Sequence, residues 1–248
     1  AESLIVKNAH RINAGEPPEL PPPGQTSSDF FVVERRDPEA AVATVLELVR
    51  SRIPRRFGLD PVRDVQVLVP MHRGPAGSVA LNAALQRALN PVGPTLERGG
   101  VSYRVGDKVM QLKNDYERGV FNGDLGIVTK VDEEQNQVAV RFDDLGGDGV
   151  VYDGADLDQL TLAYACTVHK SQGSEYPAVV VVMLSSHFVM LSKNLLYTAV
   201  TRGKRLVVLV ADPRAVKVAL GADRAGGERR TRLSARVLSA FQEPLALG

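Results

Sequence analysis

An α/β protein interrupted by a small all-β unit is what this 248-residue sequence predicts, and three observations predict it. Apolar residues recur at helical spacing between short apolar runs over the first hundred positions. Between Val101 and Leu160 that period vanishes, and short alternating runs separated by turn chemistry replace it. Beyond Leu160 a continuous apolar run, AVVVVML, returns beside a helical pattern, as a strand covered on both faces requires.

The elements follow in order. Leu4, Ile5, Ala9 and Ile12 share one face of an opening helix, and Gly15 supplies its stop. No cap is expected ahead of Leu4 and there is no initiator methionine, so the chain is expected to begin within a longer protein. The stretch EPPELPPPGQTSSD is too rich in proline to be helical and should run extended over the surface. FFVV reads as a strand. Asp37-Pro38 then starts a helix, with a capping carboxylate and a proline in the first turn. Val42, Val45, Leu46, Val49 and Ile53 form its apolar stripe. VQVLV (Val65–Val69) is the next strand, and SVALNAALQRALNP a helix with Leu81, Leu85 and Leu89 on one side.

The runs DKVMQL, LGIVTKV, QVAVRF and GVVY, punctuated by NGD, EEQNQ and DLGGDG, predict a small antiparallel barrel over 101–160. TLAYAC reads as a strand leading into TVHKSQG. SKNLLYTAVTRGK reads as a helix capped by Ser192, and RLVVLV as the last strand. Strands alternating with helices predict a mostly parallel sheet, with functional loops at the strands' carboxyl ends. The chain therefore divides into 1–100, the inserted barrel 101–160, and 161–248 with a basic tail.

Net charge is only +1, but it is unevenly spread. Val101–Leu160 carries 13 Asp+Glu against 6 Lys+Arg, and Thr201–Arg236 carries 10 Lys+Arg against 3 Asp+Glu. No apolar run reaches the ~18 residues of a membrane span, so no membrane partner is expected. Cys166 is the single cysteine; an internal disulfide is impossible, which fits a reducing cytoplasm.

Three polar clusters could carry chemistry. Thr167, His169, Lys170, Ser171, Gln172 and Glu175 lie in TVHKSQGSEY, expected as a loop at the carboxyl end of the parallel sheet. Phosphate oxygens suit its hydroxyls, imidazole and ammonium; a ribose hydroxyl suits its carboxylate. In LLYTAVTRGKR, Thr198 and Arg202 are four apart on a helix, which places Arg202 to reach an anion across an interface. In VPMHRGPAG, Pro70, Met71, His72 and Arg73 follow a strand and precede a helix, with Gly74 and Gly77 exposing backbone N–H groups. No G-x-x-x-x-G-K-[ST] occurs, so the sequence offers no phosphate-cradling P-loop, and no metal-ligand spacing is present. Asp212 before Pro213 reads as a turn or cap.

Together TVHKSQGSEYPAVVVVM and LLYTAVTRGKRLVVLV closely resemble motifs V and VI of superfamily 1 DNA helicases. RVGDKVMQLKNDYERGVFNGDLGIV narrows the resemblance to the RecD-like branch, and VLVPMHRG resembles that branch's motif IV. The resemblance runs from Ala1 to about Val210. It implies a RecA-like, mostly parallel sheet flanked by helices, with an inserted small all-β SH3-like barrel.

It also implies the second of two motor domains that close on ATP and Mg²⁺, held mainly by a first, P-loop domain outside this sequence. Arg202 then matches an arginine finger, and Glu175 the ribose contact. Gln172 and Gly173 lie at the same interface. Thr167, His169 and Lys170 match motif V positions near the backbone of single-stranded DNA, with Pro70, Met71, His72 and Arg73 alongside. Movement would run 5′ to 3′. The acidic insertion argues against a general electrostatic clamp. Any contact there would be local, through Lys113, Asn114, Arg118 or Asn122, and a scaffolding role stays equally open. The alternative for the whole chain is a non-enzymatic single-stranded nucleic-acid or protein-binding module built on the barrel. Oligomeric state is not legible.

Overall fold

Helix α1 (Leu4–Asn13) opens the chain, in a computed structural model that describes residues 3–22, 27–142, 145 and 149–225. Ser3 caps it: its hydroxyl accepts from the Val6 N–H and donates to Asp29. The expectation of an uncapped start is corrected, because serine is among the strongest N-cap residues. The proline-rich connector is pinned early by Asn8, which donates to the Glu19 carbonyl at 2.9 Å and accepts from its N–H at 2.6 Å.

Strand β1 (Phe30–Glu34) leads to α2 (Pro38–Glu47), where the Asp37 carboxylate accepts from the Ala40 N–H at 2.7 Å. The helix continues through a widened turn into α3 (Ile53–Phe57). Then come β2 (Val65–Val69) and α4 (Ser78–Leu89). A hairpin follows, β3 (Thr95–Arg98) and β4 (Val101–Arg104), turning at Gly99–Gly100. The antiparallel sheet comprises β5 (Lys108–Gln111), β6 (Leu125–Asp132), β7 (Gln137–Phe142), β8 (Val150–Asp153) and β9 (Leu160–Leu162). Its order is β8-β7-β6-β5-β9. Most of the DLGGDG turn lies outside the described residues.

The chain then returns through β10 (Ala165–Thr167), β11 (Tyr176–Met183), α5 (Lys193–Val200), β12 (Gly203–Ala211) and α6 (Pro213–Ala225). The basic tail beyond 225 lies outside the described residues. The second sheet runs β1-β12-β11-β2-β10, every neighbouring pair parallel.

Two expected elements change. TLAYAC is not one strand: Leu160–Leu162 pairs with β5 in the antiparallel sheet, while Ala165–Thr167 pairs with β2 in the parallel one. Asn82 of α4 clamps the break, donating to the carbonyls of Leu162 (3.0 Å) and Ala165 (2.8 Å) and accepting from the Ala165 N–H (2.8 Å). Helix α5 also ends sooner than expected, at Val200, so Arg202 stands in the turn and Gly203 already begins β12. A Cβ at Gly203 would meet the Val207 side chain at 2.4 Å, so only glycine fits this sharp entry.

Burial explains the unbroken VVVV. Val180 and Val182 pack with Val45, Ile53, Leu81 and Leu85 on one face; Val179 and Val181 pack with Ile5, Ile12, Leu195 and Leu196 on the other. The first of these cores runs on without interruption into the barrel, through Val109, Val128, Val140 and Tyr152. A buried polar knot reinforces the junction. Asp107 is fully buried and accepts from Gln86 (2.6 Å), Asn90 (2.7 Å), the Tyr164 hydroxyl (2.8 Å) and the Arg104 N–H (2.8 Å). Four donors satisfy a carboxylate that burial alone would penalise. The barrel is therefore fixed to the α/β unit.

Candidate nucleotide edge and nucleic-acid groove

The polar loop does not gather all its residues at one end of the sheet, as expected from the sequence. Thr167 pairs with Val69, at the carboxyl end of β2; Ala178 of β11 pairs with Val65, at its amino end. The segment 168–175 must therefore travel the height of β2, at least ~13 Å at strand rise. Topology forces this: a parallel neighbour has to be re-entered from its amino end, and β10 is only 3 residues long. The segment descends as tight turns, with Ser171 N–H on the Thr167 carbonyl and the buried Ser171 hydroxyl donating to the Val168 carbonyl at 2.8 Å. Thr167, His169 and Lys170 stay near the upper end; Gln172, Gly173 and Glu175 lie on the way to the lower one.

At that lower edge Glu175 and Arg202 come together. Arg202 Nη1 donates to the Ser174 carbonyl at 3.1 Å, and the Tyr176 N–H donates to the Arg202 carbonyl at 2.8 Å. Arg202 also donates to the Thr198 carbonyl (3.2 Å) and the Thr201 hydroxyl (3.3 Å). The Thr198–Arg202 relation expected from helical spacing thus exists as a side-chain to backbone bond. All three acceptors are neutral, so a phosphate would compete well for the guanidinium. Glu175 pairs with Lys204 at 3.1 Å, both more than half exposed. Sequence reasoning missed Lys204, because nothing local indicates which strand pairs with which.

At the upper end, the loop 70–77 turns back on itself. His72 Nδ1 lies 3.0 Å from the Ser78 hydroxyl, and a Cβ on Gly77 would sit 2.6 Å from the Arg73 carbonyl. Pro70 is buried, Met71 half-buried, and His72 and Arg73 exposed. His72, Thr167 and Lys170 line a groove of about 840 Å³ that also takes in Arg87, Arg98 and Arg104. The groove thus runs between the α/β unit and the β3–β4 hairpin. The three arginines were not anticipated: Arg87 on α4, Arg98 on β3 and Arg104 on β4 are far enough apart in sequence that only the fold brings them to one groove. Asp158, also lining the groove, pairs with Arg98 through two bonds of 2.9 and 3.1 Å, which hold its carboxyl below the usual range.

Elsewhere, Lys113, Asn114 and Asn122 are exposed, and Arg118 is taken up by Asp115 and Asp156. Asp212 accepts from the Ser185 hydroxyl and the Arg214 N–H, a capping role at the start of α6. Cys166 is buried and its thiol is pushed up to about 12, which leaves it unreactive. Among the described residues no group of three or more His, Cys, Asp or Glu could hold a metal, and no helix is long and apolar enough to cross a membrane.

Comparison with known proteins agrees with this architecture. Residues 81–142 match the ATP-dependent RecD-like DNA helicase SH3 domain, and residues 162–210 the UvrD-like helicase C-terminal domain. The ATP-dependent RecD2 DNA helicase of Deinococcus radiodurans is 38% identical over 204 residues, 82% of this chain and 26% of the relative. The RecBCD enzyme subunit RecD of Mycolicibacterium smegmatis is 33% identical over 184 residues, 73% of this chain and 32% of the relative. The chain thus spans only about a quarter to a third of these relatives' length. Among solved structures, Pif1 helicase from Bacteroides in complex with ADP-AlF3 and single-stranded DNA superposes with a TM-score of 0.51 at 18% identity, over 98% of this chain and 55% of that one. Two Pif1 helicases coordinating at forked double-stranded DNA give the same score over 53% of that chain. The RecA-like sheet, the SH3-like barrel and the matches to both domains and to the RecD relatives together support a carboxyl-terminal portion of a RecD-like superfamily 1 helicase.

Proposed function

We propose that this chain is the second motor domain of an ATP-dependent helicase that moves 5′ to 3′ along single-stranded DNA. The observation that carries the reading is the path of segment 168–175. One short stretch borders the groove at Thr167 and Lys170 and ends at Glu175 beside Arg202, on the opposite edge of the sheet. A nucleotide at that edge and a strand in the groove would then act on the two ends of the same segment, so closure around ATP would shift the grip on DNA.

In this reading Arg202 leaves its three neutral acceptors to stabilise charge on the transferring phosphoryl group. Glu175 leaves Lys204 to meet the ribose, with Gln172 and Gly173 beside it. A P-loop domain outside this sequence holds the triphosphate and Mg²⁺. Pro70, Met71, His72, Arg73, Thr167, His169 and Lys170 hold the strand on the α/β side, and Lys113, Asn114 and Asn122 touch it on the barrel side. The inserted unit is taken to include the β3–β4 hairpin, because the 100/101 boundary falls within its turn. ATP turnover of the intact protein tests the reading: Arg202→Ala should lower kcat about 10³-fold or more while ATP still binds. Near-normal turnover would sink it.

A further inference from the structure

Two aromatic rings project from the acidic insertion. Tyr116 is 79% exposed and Phe121 44%. Their centroids lie 5.8 Å apart with the ring planes at 75°. Singly exposed apolar side chains are ordinary, but these two touch and are held by a small rigid hairpin. Asp115 and Val120 exchange backbone bonds of 2.7 and 3.0 Å, and Val120 is fully buried. The Phe121 N–H donates to Asp124 at 2.7 Å. Asn114 ties both sides, accepting from the Asn122 N–H at 2.9 Å and donating to the Tyr116 hydroxyl at 3.3 Å. The rings are positioned before any ligand arrives, which lowers the ordering cost of binding.

An edge-to-face pair buries the edge of one ring and leaves an aromatic face open. The hairpin also begins where the groove ends, since Leu112, which directly precedes it, lines the groove. Charge decides which part of a strand this surface suits. Leu112–Asp124 holds two basic residues against three acidic ones, and Arg118 is already paired with Asp115 and Asp156. A phosphate here would meet carboxylates, whereas a neutral base stacks without needing cations.

We infer that Tyr116, backed by Phe121, is a base-stacking platform for single-stranded nucleic acid leaving the groove. This rests on the DNA-motor reading and adds to it a sequence-tolerant contact that the arginine wall does not supply.

The test titrates this chain with a labelled oligothymidylate and with the same backbone carrying abasic sites, across a range of salt. Tyr116→Ala should weaken oligothymidylate binding roughly five- to a hundred-fold. The abasic strand and the slope of log K against log salt should stay nearly unchanged, because stacking releases no counterions. Tyr116→Phe should retain affinity. Equal loss on both strands, or loss on neither, overturns the platform and leaves the DNA reading standing; a protein partner docked on these rings would give the second result. Binding of neither strand by the unmodified chain overturns the platform, while the motor reading stands or falls on turnover of the intact protein carrying Arg202→Ala.

Discussion

Glu175 and Lys204 face each other at 3.1 Å across the amino ends of two neighbouring parallel strands, β11 and β12. Both side chains are more than half exposed, so the pair contributes little to stability. Its position, beside an arginine held by three neutral acceptors, matters more. Glu175 is held by Lys204 and Arg202 by three neutral acceptors, and a competing anion or hydroxyl could displace each of these partners.

The ribose assignment can be tested by removing the hydroxyl that Glu175 would accept from. In the intact protein, Glu175→Ala should raise KM for ATP several-fold and abolish discrimination between ATP and 2′-deoxy-ATP. Lys204→Ala, by freeing Glu175, should leave that discrimination intact. Undiminished discrimination in Glu175→Ala would assign the ribose elsewhere.

Arginine geometry matters as well as charge. Arg202→Lys should fail to restore turnover to Arg202→Ala, because a point charge cannot reproduce the planar fork. Steady-state kinetics at saturating ATP reads this directly, and wild-type kcat in the lysine variant would contradict it.

The groove wall should report through salt. Arg87→Ala and Lys170→Ala should each weaken single-stranded DNA binding and flatten the slope of log K against log salt by about 0.7. Asp158→Asn releases Arg98 and should tighten binding while steepening that slope. An unchanged slope in all three would place the strand outside the groove.

The junction between barrel and α/β unit should depend on Asp107. Asp107→Asn turns one accepting oxygen into a donor facing donors, and urea unfolding should show a loss of about 1–3 kcal/mol. Full stability in that variant would mean the knot contributes nothing.

His187 provides a pH signature. Its buried imidazole accepts from the Leu184 N–H through Nδ1 at 3.3 Å, and burial lowers its pKa below 6.5. The folded state therefore favours the neutral ring. Its stability is fully present above about pH 6.5 and is lost as pH falls towards the lower folded value. Melting followed from pH 7.5 to 5 should show this decline, and His187→Gln should flatten it.

The sequence alone determined the kinds of element and their order. Val45, Val49 and Ile53 at helical spacing gave a helix, VVVV gave a doubly covered strand, and alternation broken by NGD and EEQNQ gave an antiparallel unit. These signals are local, arising from side-chain period and turn chemistry. The motif residues Arg202 and Glu175 were likewise legible as a pair worth placing together. Only the tertiary structure decided which strand neighbours which. It split TLAYAC between two sheets, set Thr167 and Glu175 at opposite ends of one, matched Lys204 to Glu175, and brought Arg87 of α4 and Arg98 and Arg104 of the β3–β4 hairpin to one groove. Strand pairing joins residues far apart in the chain through backbone hydrogen bonds that carry no side-chain identity, so no short stretch of sequence could have announced it.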